Sequence, residues 1–133
     1  VGIGTAAPTA KLSVNGDANK PGGGSWTAFS DKRLKKDITP YQDGLSELLK
    51  ISPVKYHYNE KSGWDTKAEY VGVLAQDLQE VAPYMVSKFT KDKEEYLQVD
   101  NSAMTYMLIN AVKEQQKQIS ELQKKLEALE NKK

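Results

Sequence analysis

The chain has 133 residues, 38% of them apolar, and 19 basic against 18 acidic side chains give it a formal charge of +1. That balance argues against nucleic acid and against an anionic membrane as partner. The absence of cysteine excludes disulfides, thiolate nucleophiles and Cys-ligated metals. No apolar run approaches the roughly 18 residues of a membrane span. The low apolar share places part of the sequence outside a compact core, and a start at Val1 rather than Met is expected of a piece cut from a longer protein.

Residues 1–29 are rich in Gly, Ala, Thr and Ser. Within them Lys11-Leu12-Ser13-Val14 alternates polar and apolar and ends at Asn15-Gly16, a strand followed by a turn signal. Lys20 to Ser25 contains Pro and three Gly and reads as a flexible breaker. A segment of this composition buries too little apolar surface to order itself and must lean on upstream sequence or on other copies.

Residues 30–100 read as a mixed body. Thr39-Pro40 is an N-cap followed by Pro at the first helical position. Leu45, Leu48 and Leu49 continue the helical spacing to Ile51, and Ser52-Pro53 ends it. Val54 to Tyr58 alternates as a strand. Tyr70-Val71-Gly72-Val73-Leu74 is short, β-rich and apolar, so it is expected to be buried. Ala75 to Val81 fits a short helix stopped before Pro83. Tyr84-Met85-Val86 and Tyr96-Leu97-Gln98-Val99 read as strands, with Lys91 to Glu94 as a solvated turn. The fold class is α+β: a small mixed domain with a short antiparallel sheet and helices, then a long C-terminal helix.

Residues 101–133 contain neither Gly nor Pro. Leu108, Val112, Gln115, Ile119, Leu122, Leu126 and Leu129 step alternately by four and three, a seam of about three heptads with one polar core position. A helix with so narrow an apolar stripe needs a partner helix. The pattern predicts a homo-oligomeric coiled coil, with a helix folded back on its own domain as the alternative. The Ile, Val and Leu mixture and Gln115 leave dimer or trimer open.

Ser30 and Lys35 are the candidates for chemistry. A serine hydroxyl needs a base to become a nucleophile, and a lysine serves as base only when burial or neighbouring cations favour its neutral form. Lys32, Arg33 and Lys36 supply such charge, although five-residue Ser/Lys spacing also occurs in ordinary charged connections. His57, the one histidine, reads as a sheet-surface or packed residue. It lacks a second ligand for metal and a spaced Ser or Asp for a triad. Asp17, Asp65, Asp77 and the Glu94-Glu95 pair form no carboxylate constellation. Gly22 to Gly24 lacks the ending of a phosphate loop, and no cofactor is expected. Trp26 and Trp64 read as packing residues, with glycan contact as the alternative.

Ser30-Asp31-Lys32-Arg33-Leu34-Lys35-Lys36-Asp37-Ile38 resembles the S-D-x-R-L-K-x-x-I signature of the endosialidase-type intramolecular chaperone domain, peptidase family S74. Tyr70 to Pro83, with Gly72, Ala75 and Gln76, is similar to that family's G-x-x-A-Q segment. Ala103 to Lys113 is similar to its long-helix opening. The leading VGIGT and PTAKLSVNG stretches are similar to repeats preceding the domain in phage tail fibres and bacterial surface proteins.

The resemblance implies a homotrimer held by the C-terminal helices, with the upstream fibre segment of the same chain as folding client. It implies residues 1–29 as the end of that segment, 30–100 as the chaperone and auto-processing domain, and 101–133 as the coiled coil. It makes Ser30 the nucleophile and Lys35 the general base, with Arg33 and Lys36 as residues that tune the base. It places the cut at Ser30–Asp31. A serine attacking its own carbonyl closes a four-membered ring, whereas attack on the Phe29 carbonyl closes a five-membered one, so a cut at Phe29–Ser30 stays open. Attack from a neighbouring chain or a Lys-activated water serves Ser30–Asp31. The implied location is a phage virion tail fibre or spike, or a bacterial surface. A non-cleaving trimerisation and attachment module and a receptor-binding fibre tip are the alternative functions.

Overall fold

A computed structural model describes residues 1–22 and 26–132. Residues 23–25 of the expected breaker lie outside the described part. The elements are β1 (Gly2–Ile3), β2 (Ser13–Val14), α1 (Leu45–Leu48), β3 (Val54–Tyr56), β4 (Tyr70–Gly72), α2 (Ala75–Val81), β5 (Val86–Lys91), β6 (Glu94–Val99) and α3 (Met104–Glu130). The α+β class expected from the sequence is the one observed. Short 3₁₀ turns at Lys32–Leu34, Glu60–Ser62, Pro83–Met85 and Asn101–Ala103 join them.

The strands form three separate two-stranded ladders. β1 and β2 run parallel, Gly2 opposite Ser13 and Ile3 opposite Val14. β3 and β4 are antiparallel, with Val54 opposite Gly72 and Tyr56 opposite Tyr70. β5 and β6 form a hairpin with Val86 opposite Val99 and Lys91 opposite Glu94. Its two-residue turn, Asp92-Lys93, holds both residues in the left-handed region, φ 52° and 64°. That turn matches the twist of the flanking strands, but it favours Gly at the second position. Lys93→Gly is therefore expected to stabilise the domain by about 0.5–1 kcal/mol, as removing a left-handed penalty does, and to raise the melting temperature by a few degrees in a thermal scan.

The core lies where α2, the Pro83–Met85 turn and the first turns of α3 meet. Leu78, Ala82, Met85 and Met107 are buried there, with Leu48, Ile51, Val73, Val86, Val99, Ala103 and Met104 packed around them. Met104, Met107 and Ala111 line one stripe of α3, at the three- and four-residue spacing of a single helix face. The heptad seam is a second stripe on the same helix. Leu108, Val112, Ile119, Leu122, Leu126 and Leu129 are all exposed in the single chain. The helix thus packs its first turns on its own domain, the alternative read from the sequence, and leaves the heptad stripe exposed.

The chain exposes 11603 Å², whereas a compact monomer of 14.8 kDa exposes about 7,000 Å². The surplus has two main sources, the distal half of α3 and the segment before α1. Every described residue from Trp26 to Gln42 is exposed.

Three expectations are corrected. The helix anticipated from Thr39-Pro40 begins only at Leu45, with Gly44 as its N-cap. The carbonyls that would begin the earlier turn are already engaged: the Asn110 side-chain amide donates to the backbone oxygens of Tyr41 and Asp43 at 3.0 and 2.9 Å. The Tyr70–Leu74 run is not interior, since Val71 is 71% exposed. A two-stranded ladder covers only what another layer reaches, and among the described residues no further strand flanks β4. Tyr84 and Met85 form a 3₁₀ turn rather than a strand because Pro83 opens it, and β5 starts at Val86.

Candidate active site

Ser30 and Lys35 are held together by a short local fold. Asp31 caps the 3₁₀ turn Lys32–Leu34, accepting from the Arg33 backbone N–H at 2.9 Å. Leu34 and Lys35 donate back to the carbonyls of Asp31 and Lys32. This single turn reverses the chain enough for the Lys35 Nζ to reach the Ser30 Oγ at 2.8 Å. The distance is a hydrogen bond between the two groups that the sequence singled out. With lysine protonated, the ammonium donates to the hydroxyl. With lysine neutral, the same contact lets the hydroxyl donate to the amine, which is the geometry general-base activation requires.

Arg33 is turned to Asp31. Its guanidinium makes a forked contact, Nη2 to Oδ2 at 2.7 Å and Nε to Oδ1 at 3.1 Å. The Arg33 guanidinium, followed by the Arg33 backbone N–H, holds the Asp31 carboxyl below the usual carboxylate range. Part of the local positive charge is thereby matched, and Lys32 and Lys36 are the nearby cations in sequence that Asp31 does not engage. All of these side chains are exposed, as are the apolar groups beside them: Trp26 is 82%, Phe29 97% and Leu34 74% exposed.

A second polar cluster lies where this exposed arm joins the body. Tyr84 Oη donates to Asp43 Oδ2 at 2.5 Å and so is left to accept from Tyr41 Oη, also at 2.5 Å. Burial, then the hydrogen bonds to Asp43 and Tyr41, push the Tyr84 hydroxyl well above the usual tyrosine range. Glu114 Oε2 accepts from the Leu45 N–H at 3.2 Å, and Glu47 Oε2 from the Gly44 N–H at 3.0 Å. Gly44 is buried so closely against α3 that a Cβ there would collide with the Glu114 carboxylate and crowd Asn110. Sequence reasoning missed this cluster. Its one visible trace is an asparagine inside the apolar run Met107-Leu108-Ile109-Asn110-Ala111-Val112.

His57 is exposed on the chain after β3, with Nδ1 3.0 Å from the carbonyl of Ala68, which precedes β4. Trp64 packs edge-on to Tyr58 with ring centres 4.6 Å apart. Both line an open groove of about 740 Å³ with Val71, Gln76, Phe89 and Tyr96. A hydrogen bond with Tyr56, then burial and the neighbouring Tyr56 and Tyr70 hydroxyls, push the Tyr58 hydroxyl up to about 12. Trp26 sits on the exposed arm and does not line that groove. Among the described residues, no group of three or more metal-ligating side chains comes together, and no helix is long and apolar enough to cross a membrane.

Comparison with known proteins matches residues 30–87 to the family described as chaperone of endosialidase, Peptidase_S74. The chain is similar to the long tail fiber protein Gp37 of Enterobacteria phage Ox2, 33% identical over 134 residues, covering 92% of this chain and 53% of that protein. It is similar to Gp37 of Enterobacteria phage K3, 33% identical over 98 residues, 73% of this chain and 8% of that one. An uncharacterized protein of Dictyostelium discoideum is 30% identical over 148 residues, covering 100% of this chain and 13% of its own length. The chain therefore spans about half or much less of these relatives. The matched segment opens on Ser30, contains Lys35 and closes just inside β5, so the chain carries, over residues 30–87, a domain of the chaperone-of-endosialidase family.

Proposed function

We propose that this chain is the intramolecular chaperone of a fibre, a module that trimerises through α3, assists folding of the upstream segment and then releases itself by Ser30-dependent cleavage. The observation that carries the reading is the 2.8 Å contact between Lys35 Nζ and Ser30 Oγ. Support comes from the tail fibre relatives and from the exposed seam on α3. The virion tail fibre is accordingly the proposed location.

The physical logic follows from association entropy. An intertwined fibre has no stable monomer, and pairing distant chains costs loop and association entropy. A trimerising module raises the local concentration of the upstream strands before they pair. Removing the module afterwards closes the route by which folding would be retraced, so the fibre is kinetically trapped.

In the cleavage step, neutral Lys35 takes the proton of the Ser30 hydroxyl as the oxygen attacks a peptide carbonyl. The proton passes to the departing amine, and water hydrolyses the resulting ester. The proposed scissile bond is Ser30–Asp31, reached by Ser30 of a neighbouring copy or by a Lys35-activated water. Attack on the Phe29 carbonyl is the local alternative. The new N-terminus decides between them: Asp31 for the first route, Ser30 for the second.

Exposure of both Ser30 and Lys35 in the single chain favours one second reading, a trimerisation and attachment module whose dyad stays idle. Intact mass and light scattering of the purified chain separate the two. The chaperone reading expects a trimer mass and a chain shortened at Ser30. A chain that remains whole under folding conditions, with Ser30 unmodified, sinks the cleavage claim, and a monomer mass sinks the trimer.

A further inference from the structure

The sequence and the structure disagree over residues 39–44, and the disagreement has a single physical cause. Thr39-Pro40 carries the start signal of a helix, yet residues 41–43 are not helical and α1 begins at Leu45. Three side chains and one glycine impose this. Asn110 occupies the Tyr41 and Asp43 carbonyls, which a helix would direct to residues four further on. Glu114 accepts from the Leu45 N–H. Tyr84 ties Tyr41 to Asp43 through its hydroxyl. Gly44 alone lets the backbone approach α3 this closely.

We infer that Asn110, Glu114 and Tyr84 form a latch that holds a helix-competent segment extended, and that they are positioning residues for the Ser30–Lys35 site; the second half of this inference rests on the proposed cleavage. Opening the latch lets α1 grow back toward Pro40. Five residues that pass from extended to helical shorten by roughly 9 Å, from about 3.3 to 1.5 Å per residue. The reach of the exposed arm that carries Ser30 is then shortened by that amount, which changes the surfaces the dyad can meet.

The latch is also separable from assembly. At about 100° per residue, Asn110 and Glu114 lie roughly 130–170° round α3 from the centre of the seam. The core stripe of Met104, Met107 and Ala111 lies on the flank between them. A latch variant therefore touches no seam residue.

Two variants test this. Asn110→Asp is isosteric but replaces the donating amide with an acceptor that repels both carbonyls. Gly44→Ala places a methyl against Glu114 and also favours the helix. Backbone chemical shifts of residues 41–43 are expected to move from extended to helical in both, with the oligomer mass unchanged. Self-cleavage is expected to slow at least about fivefold, the range for orphaning a partly buried hydrogen-bonding group. Tyr84→Phe, which keeps the ring, should shift both readouts in the same direction. Shifts that stay extended in both variants overturn the latch. Helical shifts with an unchanged cleavage rate overturn its positioning role. If the wild-type chain does not cleave, the proposed function fails by itself, while the shifts still decide the latch.

Discussion

Ser30→Ala leaves the chain whole under conditions where the wild type is shortened, and the oligomer mass stays that of the uncut assembly. The reason is chemical. Ser30 Oγ is the one hydroxyl that Lys35 Nζ contacts among the described residues, and no cysteine can replace it. Loss of a nucleophile or of its base from a serine hydrolase typically costs about 10⁴- to 10⁶-fold, which on an expression time scale means no product. Lys35→Ala is expected to match it. Lys35→Arg is more informative: arginine keeps the positive charge and can donate to Ser30, but it does not give up its proton in a protein. An inactive Lys35→Arg assigns Lys35 as base, whereas an active one makes it an electrostatic support and removes it from the mechanism.

Ile119→Asp combined with Leu126→Asp converts the oligomer to monomer in light scattering while the circular dichroism of the body persists. Both side chains are exposed in the isolated chain and lie on the seam, well beyond the core contacts of Met104, Met107 and Ala111. In an assembly each buries a leucine-sized surface, worth about 1.5–3 kcal/mol per copy. Replacing that gain with a carboxylate in a desolvated position costs several more. An unchanged oligomer mass would take the seam out of assembly altogether. With assembly lost, the proposed cleavage by Ser30 of a neighbouring copy is expected to fall as well.

Which parts of this were legible in the sequence depends on how local their causes are. α2 was readable to the residue because Ala75 to Val81 carries its own periodicity and Pro83 stops it. α3 was readable because its seam repeats and no breaker interrupts it. The contact between Ser30 and Lys35, the two residues singled out from the sequence, has a local cause, since one 3₁₀ turn capped by Asp31 suffices to close it. The position of α1 was not readable, because a long-range partner overrules Thr39-Pro40: Asn110 is 67 residues from Asp43. The exposure of Val71 was missed for a related reason. Apolarity predicts burial only where another layer exists to bury against, and among the described residues β3–β4 is a two-stranded ladder with no third strand.

The geometry of the dyad is written entirely within six consecutive residues, Ser30 to Lys35, and borrows nothing from the body. Ser30 is eleven residues from Tyr41, where the latch begins, a tether of up to about 36 Å at full stretch. That exceeds the 10–12 Å girth of a helix several times over. A dyad built this way is portable: it arrives preassembled wherever the arm comes to rest, on its own body or on a neighbour's. Under the proposed cleavage, the surface on which it docks would have to add a dry enclosure and hydrogen-bond donors for the developing oxyanion.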